Sequence, residues 1–200
     1  MKALFIGCHC DDIELGCGGT IHKRKNDWNI FCAVFSECGP FGSLKELKNY
    51  SKKSLEELGA NEVIFDDFPT NDFWQYRQKI WEKIHELEKS INPDIIFTQC
   101  PDNHQDHKTI YEESVRNFKK KDMISYQSSI RNSLDHSWNW FEVLNRSDVD
   151  AKINILKNFP CYKDTKIYFT PENIESQLRI NAMYIESEFA EAFKLIKKIN

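Results

Sequence analysis

The sequence predicts an α/β fold, a Rossmann-like and mostly parallel sheet flanked by helices, with a small C-terminal strand and helix extension. Three observations carry this reading. Short apolar runs alternate with segments of helical period, two of those runs lead straight into clusters of His and Asp, and the pattern changes past residue 128. Parallel neighbours need a long return connection, and alternating strands and helices supply it.

Ala3 to Cys8 reads as the first buried strand and Thr20-Ile21-His22-Lys23-Arg24 as helix, which leaves His9-Cys10-Asp11-Asp12 on a strand-to-helix loop. Further strands are expected at Ile30 to Phe35, Val63 to Phe65, Ile95 to Thr98 and Ile124 to Ser128. Leu44 to Leu58 reads as a helix stopped by Gly59, and Phe73 to Ile91 as a second, closed off by Pro93. Their apolar residues (Leu47, Leu55, Leu58; Trp81, Ile84, Leu87, Ile91) recur at three and four, as a core-facing stripe does. Ser137 to Leu144 alternates at period two and reads as an added strand or hairpin. Helices follow from about Asp148 to Asn158 and from Pro171 to Ile199, the second opened by Thr170 as cap with Pro171 in the first turn.

A length of 200 residues fits one domain with an ample core, and residues 1–200 are read as a single unit. Apolar residues at 40% and charged residues at 29% describe an ordinary globular chain, and a net charge of −4 with no basic stripe argues against nucleic acid as the main partner. No run is long enough to span a bilayer, and the N-terminus enters the first strand without a signal-peptide layout, so a cytoplasmic location is expected. The seven cysteines form no Cys-x-x-Cys pair and fall mostly in apolar stretches such as Cys8, Cys32 and Cys100. Reduced thiols are expected.

The second ligand cluster, Asp102-Asn103-His104-Gln105-Asp106-His107, directly follows the run Ile95-Ile96-Phe97-Thr98. Both clusters therefore sit at the carboxyl ends of strands, the edge at which open α/β sheets hold their sites, and neighbouring loops can bring them together. Catalytic zinc takes three His or carboxylate ligands and leaves a position for water; His9, Asp12 and His107 would supply that set. Asp11 and His104 are then spare, one to take a proton from water and the other to donate to oxygen or a leaving nitrogen. The bland alternatives are carboxylates capping the following helix in the first cluster and a solvated loop in the second.

His9-Cys10-Asp11-Asp12-Ile13-Glu14-Leu15-Gly16-Cys17-Gly18-Gly19-Thr20 resembles the His-Pro-Asp-Asp-x-Glu motif and glycine-rich continuation of the PIG-L/LmbE-like deacetylases. His104-Gln105-Asp106-His107 resembles that family's His-Pro-Asp-His motif, Asp102 its preceding acidic residue, and Ala190-Glu191-Ala192-Phe193 its C-terminal signature. The resemblance implies a zinc-dependent hydrolase that removes an acyl group, usually acetyl, from the amine of an amino sugar. By the same resemblance His9, Asp12 and His107 bind zinc, Asp11 is the general base, His104 assists at the oxyanion or leaving amine, and Asp106 orients His104. A metal-dependent amidase of a larger sugar conjugate and a catalytically silent metal- or sugar-binding module are the rival readings; a base beside the metal favours turnover. Other divalent transition metals suit the same ligands.

Cys10 and Gln105 stand where the family has proline, and Gln127 stands where it often has Tyr-Glu, departures that bear on substrate contacts more than on ligands. Asp72 matches a family acidic residue near the sugar, with a helix cap before Phe73 as the simpler role. Cys8 and Cys10 fall on the opposite side of the strand from His9, against a joint thiolate and imidazole site. His22, His85 and His136 have no ligand-spaced neighbours. Trp138 and Trp140 share one face of the added strand, for core packing, sugar stacking or self-association into a homo-oligomer.

Overall fold

The computed structural model describes residues 1–36, 44–128, 137–160 and 166–199. Its strands are β1 (Lys2–Gly7), β2 (Asn29–Val34), β3 (Glu62–Phe65), β4 (Ile95–Gln99), β5 (Asp122–Tyr126), β6 (Trp140–Val143) and β7 (Ala190–Lys197). The helices are α1 (Asp12–Arg24), α2 (Leu44–Leu58), α3 (Arg77–Ile91), α4 (Gln105–Asn117), α5 (Arg146–Leu156) and α6 (Pro171–Met183). They form one sheet in the order β3-β2-β1-β4-β5-β7-β6, parallel from β3 to β5 and antiparallel across β7 and β6. This is the mixed α/β architecture expected.

The order of the parallel strands reverses between β1 and β4, and at such a switch point the connections diverge to opposite sides and leave a crevice at the carboxyl edge. Both His and Asp clusters leave from those two strands. The sheet is buried on both faces: Phe5, Phe97, Ile124, Tyr126 and Phe193 pack on the α1 side, while Leu4, Ile6, Ile96 and Met123 pack against Ile80 and Ile84 of α3 and Ile110 of α4. Strands covered on both faces read as continuous apolar runs, which is why β1, β2 and β4 were legible.

Three boundaries differ from expectation. Helix α1 starts at Asp12, eight residues before Thr20, and carries the glycine-rich stretch inside it. Glycine is a poor helix former, by about 1 kcal/mol relative to alanine, but here it allows contact: a Cβ on Gly16 would stand 2.2 Å from the Tyr126 ring. Tertiary packing overrides propensity at that point. The helix expected from Pro171 to Ile199 ends at Met183, and Ala190–Lys197 is the strand β7, inserted between β5 and β6. Glu186, with φ of 53°, turns the chain between them. The segment Phe73 to Ile91 divides into a 3-10 turn, Phe73–Tyr76, and α3.

Trp140 packs on Phe97 and Phe193 at ring-centroid distances of 5.9 and 5.3 Å, which is the core role. Cys8, Cys17, Cys32 and Cys100 are free thiols, whereas Cys10 is disulfide-bonded, so the expectation of thiols reduced throughout fails at that residue. No helix among the described residues is long and apolar enough to cross a membrane. His22 is held by Asp148 at 2.8 Å and His85 stacks on Trp81, ordinary structural roles; His136 lies outside the described residues.

Candidate active site

The first cluster folds back on itself as the chain leaves β1. The backbone N–H groups of Asp11 and Asp12 both donate to the His9 carbonyl, at 3.0 and 3.3 Å, and the His9 N–H donates to Asp12 Oδ2 at 2.8 Å. Asp11 occupies the N-cap position of α1, yet its carboxylate makes no capping hydrogen bond. The capping alternative therefore does not account for Asp11. Its carboxyl is left for other work, nearly buried at 9% exposure.

In the second cluster Asp102 is the organiser. Its Oδ1 accepts the His104 N–H and its Oδ2 lies 2.8 Å from His107 Nδ1, all beside the start of α4. A carboxylate on one ring nitrogen fixes the tautomer and leaves the other nitrogen as a lone-pair donor. His104 is the N-cap of α4, with Nδ1 accepting the Asp106 N–H at 3.2 Å. In the neutral ring that contact assigns the remaining proton to Nε2.

The two clusters meet across the crevice. His9 Nδ1 stands 3.3 Å from Asp12 Oδ2, and His107 Nε2 stands 3.5 Å from Asp12 Oδ1. Tetrahedral zinc, with bonds near 2.0–2.1 Å, sets neighbouring donor atoms about 3.3 Å apart, so the carboxylate lies between both imidazoles at ligand spacing. The donors in the crevice also fall into two sets whose members lie within 4.8 Å of one another, Cys8 with Asp12 and His107, and His9 with His104 and Asp106. Cys8 thus faces the site, contrary to the alternation expected from the strand. Burial, reinforced by the neighbouring carboxylates, pushes its thiol well above the ordinary range. Asp12 thus stands at ligand spacing from His9 through one carboxylate oxygen and from His107 through the other, a mixed imidazole and carboxylate donor set whose chemistry suits zinc.

The family resemblance assigns Asp106 to orienting His104. Its carboxylate instead holds His9, with Oδ2 at 3.1 Å from Nε2, and accepts the N–H groups of Asn71 and Phe73 at 2.6 and 3.2 Å. Its backbone N–H donates to His104 Nδ1. Asn71 sits in the left-handed region at φ of 66°, which asparagine tolerates, and this aims its N–H inward. Asp72 lies between these two donors on the same loop and accepts from the Gln75 side chain, without capping the 3-10 turn.

Charge follows geometry. Burial disfavours protonated His9 and His107, but hydrogen bonds that His9 makes to Asp106 and Asp12 lift it to about 9, and Asp12 and Asp102 lift His107 to about 10. These imidazoles sit in a field that favours a cation. Asp12 is held well below the carboxylate range because His107 and His9 overcome its burial. Burial, then the charge of Asp12, raises Asp11 to about 6, against the pull of Lys166 and the two histidines. His104 is lowered to about 4 by burial and by the charge of His9 and His107, so it is neutral.

Sequence reasoning did not assign the support given by Asp102, although its position two residues before His104 was visible. Nor did it foresee Glu14, buried in α1 with Oε1 accepting from Ser51 and Ser54 of α2 at 2.6 and 2.9 Å and Oε2 unpartnered. Burial raises that carboxyl to about 7. The signal available was a lone acid on a helix face otherwise made of Ile13, Cys17 and Ile21.

The family model described as PIG-L, GlcNAc-PI de-N-acetylase, matches residues 4–118. The chain belongs to the PIG-L family. The match covers β1 through α4 and includes both clusters. Among curated proteins, a deacetylase of Escherichia coli (strain K12) named as uncharacterized, YaiS, is 29% identical over 120 residues, covering 56% of this chain. The match takes in 65% of YaiS, just under two thirds of its length. Among solved structures, the conserved protein TT1542 from Thermus thermophilus superposes with a TM-score of 0.81 at 18% identity, covering 99% of this chain and 95% of that one. The N,N'-diacetylchitobiose deacetylase from Pyrococcus horikoshii superposes with a TM-score of 0.77 at 16% identity, covering 98% and 83%. At such identities the superpositions establish the PIG-L fold alone.

Proposed function

We propose that this PIG-L family chain, acting as one domain over residues 1–200, is a metal-dependent deacetylase that hydrolyses the N-acyl group of an amino sugar or its conjugate. The observation that carries the reading is Asp11: a nearly buried carboxylate at a helix N-terminus, free of any capping bond, next to Asp12, which stands at ligand spacing from His9 and from His107. A silent binding module has no use for such a group. His9, Asp12 and His107 would hold a divalent zinc, which supplies Lewis-acid polarisation of the amide carbonyl and acidifies water.

The chain's own residues do the rest. Asp11 accepts a proton from the attacking water. Negative charge then develops on the former carbonyl oxygen, and the Nε2–H of His104 is a side-chain donor that would meet it. Collapse of the tetrahedral species expels the amine, which needs a proton, and Asp11, now carboxylic acid, can return the one it took. Asp106 and Asp102 act as positioning residues by holding His9 and His107. Asp72, on the loop that brings Asn71 and Phe73 to Asp106, would meet the sugar. The support for an amino-sugar substrate is family membership together with the chitobiose deacetylase likeness.

The test is metal analysis of protein purified without chelators, alongside amine release from N-acetylglucosamine derivatives with and without added zinc. Metal-dependent release of amine and acetate is expected. Bound metal with no release from any derivative would move the reading to the silent module.

A further inference from the structure

Helix α1 carries the proposed base and one proposed ligand in its first turn, and its middle is held in an unusual way. In an uninterrupted helix the N–H groups of Gly19 and Thr20 serve the carbonyls of Leu15 and Gly16, four residues back. Within the continuous helix both also reach the Glu191 carboxylate of β7, Gly19 donating to Oε1 at 2.9 Å and Thr20 to Oε2 at 2.7 Å, and the Thr20 hydroxyl adds a third bond at 2.6 Å. The Leu15 carbonyl meanwhile accepts from Lys152 Nζ of α5 at 2.5 Å, and the same ammonium lies 2.5 Å from Glu191 Oε1. A Cβ on Gly19 would stand 3.2 Å from that oxygen and 2.4 Å from Leu144, so this glycine opens the approach.

Lys152, Glu191 and Thr20 are 5%, 2% and 0% exposed. Burying two charges is costly, and pairs of this kind are often replaceable by apolar residues without loss of stability, so stability alone is a weak reason for this one. What the pair does contact is informative. Leu15, pinned through its carbonyl by Lys152, donates its own N–H to the Asp11 carbonyl at 2.9 Å. Side chains that engage the hydrogen-bond ladder of a helix set its local path. The helix is thereby gripped one turn and two turns beyond Asp11, from an element outside the parallel half of the sheet.

We propose that the buried Lys152–Glu191 pair is a positioning device for the site: it fixes the path of α1 and so sets Asp11 and Asp12 against His104 and His107. Neither residue touches the reacting atoms. The inference rests on the metal-centre reading above. It gives Glu191, in the Ala190-Glu191-Ala192-Phe193 stretch, a task at a distance from the chemistry.

The test replaces Glu191 with glutamine and, as a gentler variant that removes a single bond, Thr20 with valine. Cobalt(II) is bound in place of zinc and its visible absorption recorded, zinc affinity is measured by chelator competition, and kcat and KM are separated. Loss of the outer support of a metal ligand typically costs about 10- to 100-fold in metal affinity. Glu191→Gln should weaken zinc binding within that range, alter the cobalt spectrum and lower kcat with little change in KM, and Thr20→Val should shift all three less in the same direction. Ile80→Ala, in the core on the far face of the sheet, serves as a control of reduced thermal stability and should leave the cobalt spectrum as in the wild type. Unchanged spectra and zinc affinity in both α1-side variants, or an equal spectral change in Ile80→Ala, would overturn the inference. If Glu191→Gln does not fold, Thr20→Val decides. A wild-type chain that takes up neither cobalt nor zinc would instead overturn the metal centre itself, and this inference with it.

Discussion

The two ligand clusters sit on adjacent parallel strands and contain the same residue types, yet they are built differently. The β1–α1 cluster is tight and local: His9 and Asp12 bond each other through the backbone within one turn, and Asp11 is left unengaged. The β4–α4 cluster is a support structure, in which Asp102 holds His107, and Asp106 reaches across to hold His9 of the other cluster. One loop therefore brings the unengaged carboxylate of Asp11, and the other brings the carboxylates of Asp102 and Asp106 that hold His107 and His9. The comparison teaches that like residues in like motifs take their roles from what their second atoms touch.

The largest way to break the asymmetry is to remove the unengaged group. Asp11→Asn should lower kcat by about 10²- to 10⁴-fold while zinc stays bound, read by steady-state kinetics and metal content together. Loss of zinc in that variant would make Asp11 a ligand. Next comes the support side: Asp102→Asn should weaken zinc binding by about 10- to 100-fold, and Asp106→Asn should do so less, because His9 remains tied to Asp12. Equal effects would erase the distinction between an in-loop and a cross-loop support.

Acid sharpens the same contrast. In the metal-free chain His9 and His107 hold protons up to about 9 and 10, and zinc must displace them. Zinc affinity should therefore rise with pH from 6 to 9, measured by competition at constant ionic strength. The metal-free fold responds in the opposite sense at Glu14. Its carboxyl is raised to about 7 in the folded state, so the folded chain binds more protons than the unfolded one above the ordinary carboxylate pKa. Stability from this group is intact below about 4.5 and is lost as pH rises through 7. Glu14→Gln should flatten that decline in denaturant titrations.

The smallest effect is expected at Asp72, half-buried beside the crevice: Asp72→Ala should change KM by less than about fivefold and leave kcat alone, in kinetics with an N-acetylated sugar.

Much of this was legible in the sequence. Strands buried on both faces announce themselves as apolar runs, and His-Asp clusters placed directly after two of them point to one edge of the sheet. The helical start of α1 was hidden because Gly16, Gly18 and Gly19 lower helix propensity, and only contacts such as Tyr126 against Gly16 explain them. Strand β7 was hidden for a related reason. Phe193, Leu195 and Ile196 follow an amphipathic helix closely, and nothing local to the chain marks the change of partner from α6 packing to pairing with β5 and β6. His9, Asp12 and His107 could be nominated as candidate ligands by spacing, but that Asp106 holds His9 and Asp102 holds His107 could not. Which oxygen reaches which ring nitrogen is decided by loops such as the one at Asn71, where asparagine allows a left-handed turn but does not say which group its N–H will meet.

The central claim is that both clusters form a single metal centre. Its most direct test is zinc stoichiometry in the wild type, His9→Ala and His107→Ala after dialysis against a weak chelator. The account predicts about one zinc per wild-type chain and loss of that zinc in either variant, since three ligands are the minimum for a catalytic site. Zinc retained at wild-type stoichiometry and affinity in both single variants would mean that the clusters do not share an ion, and would contradict it.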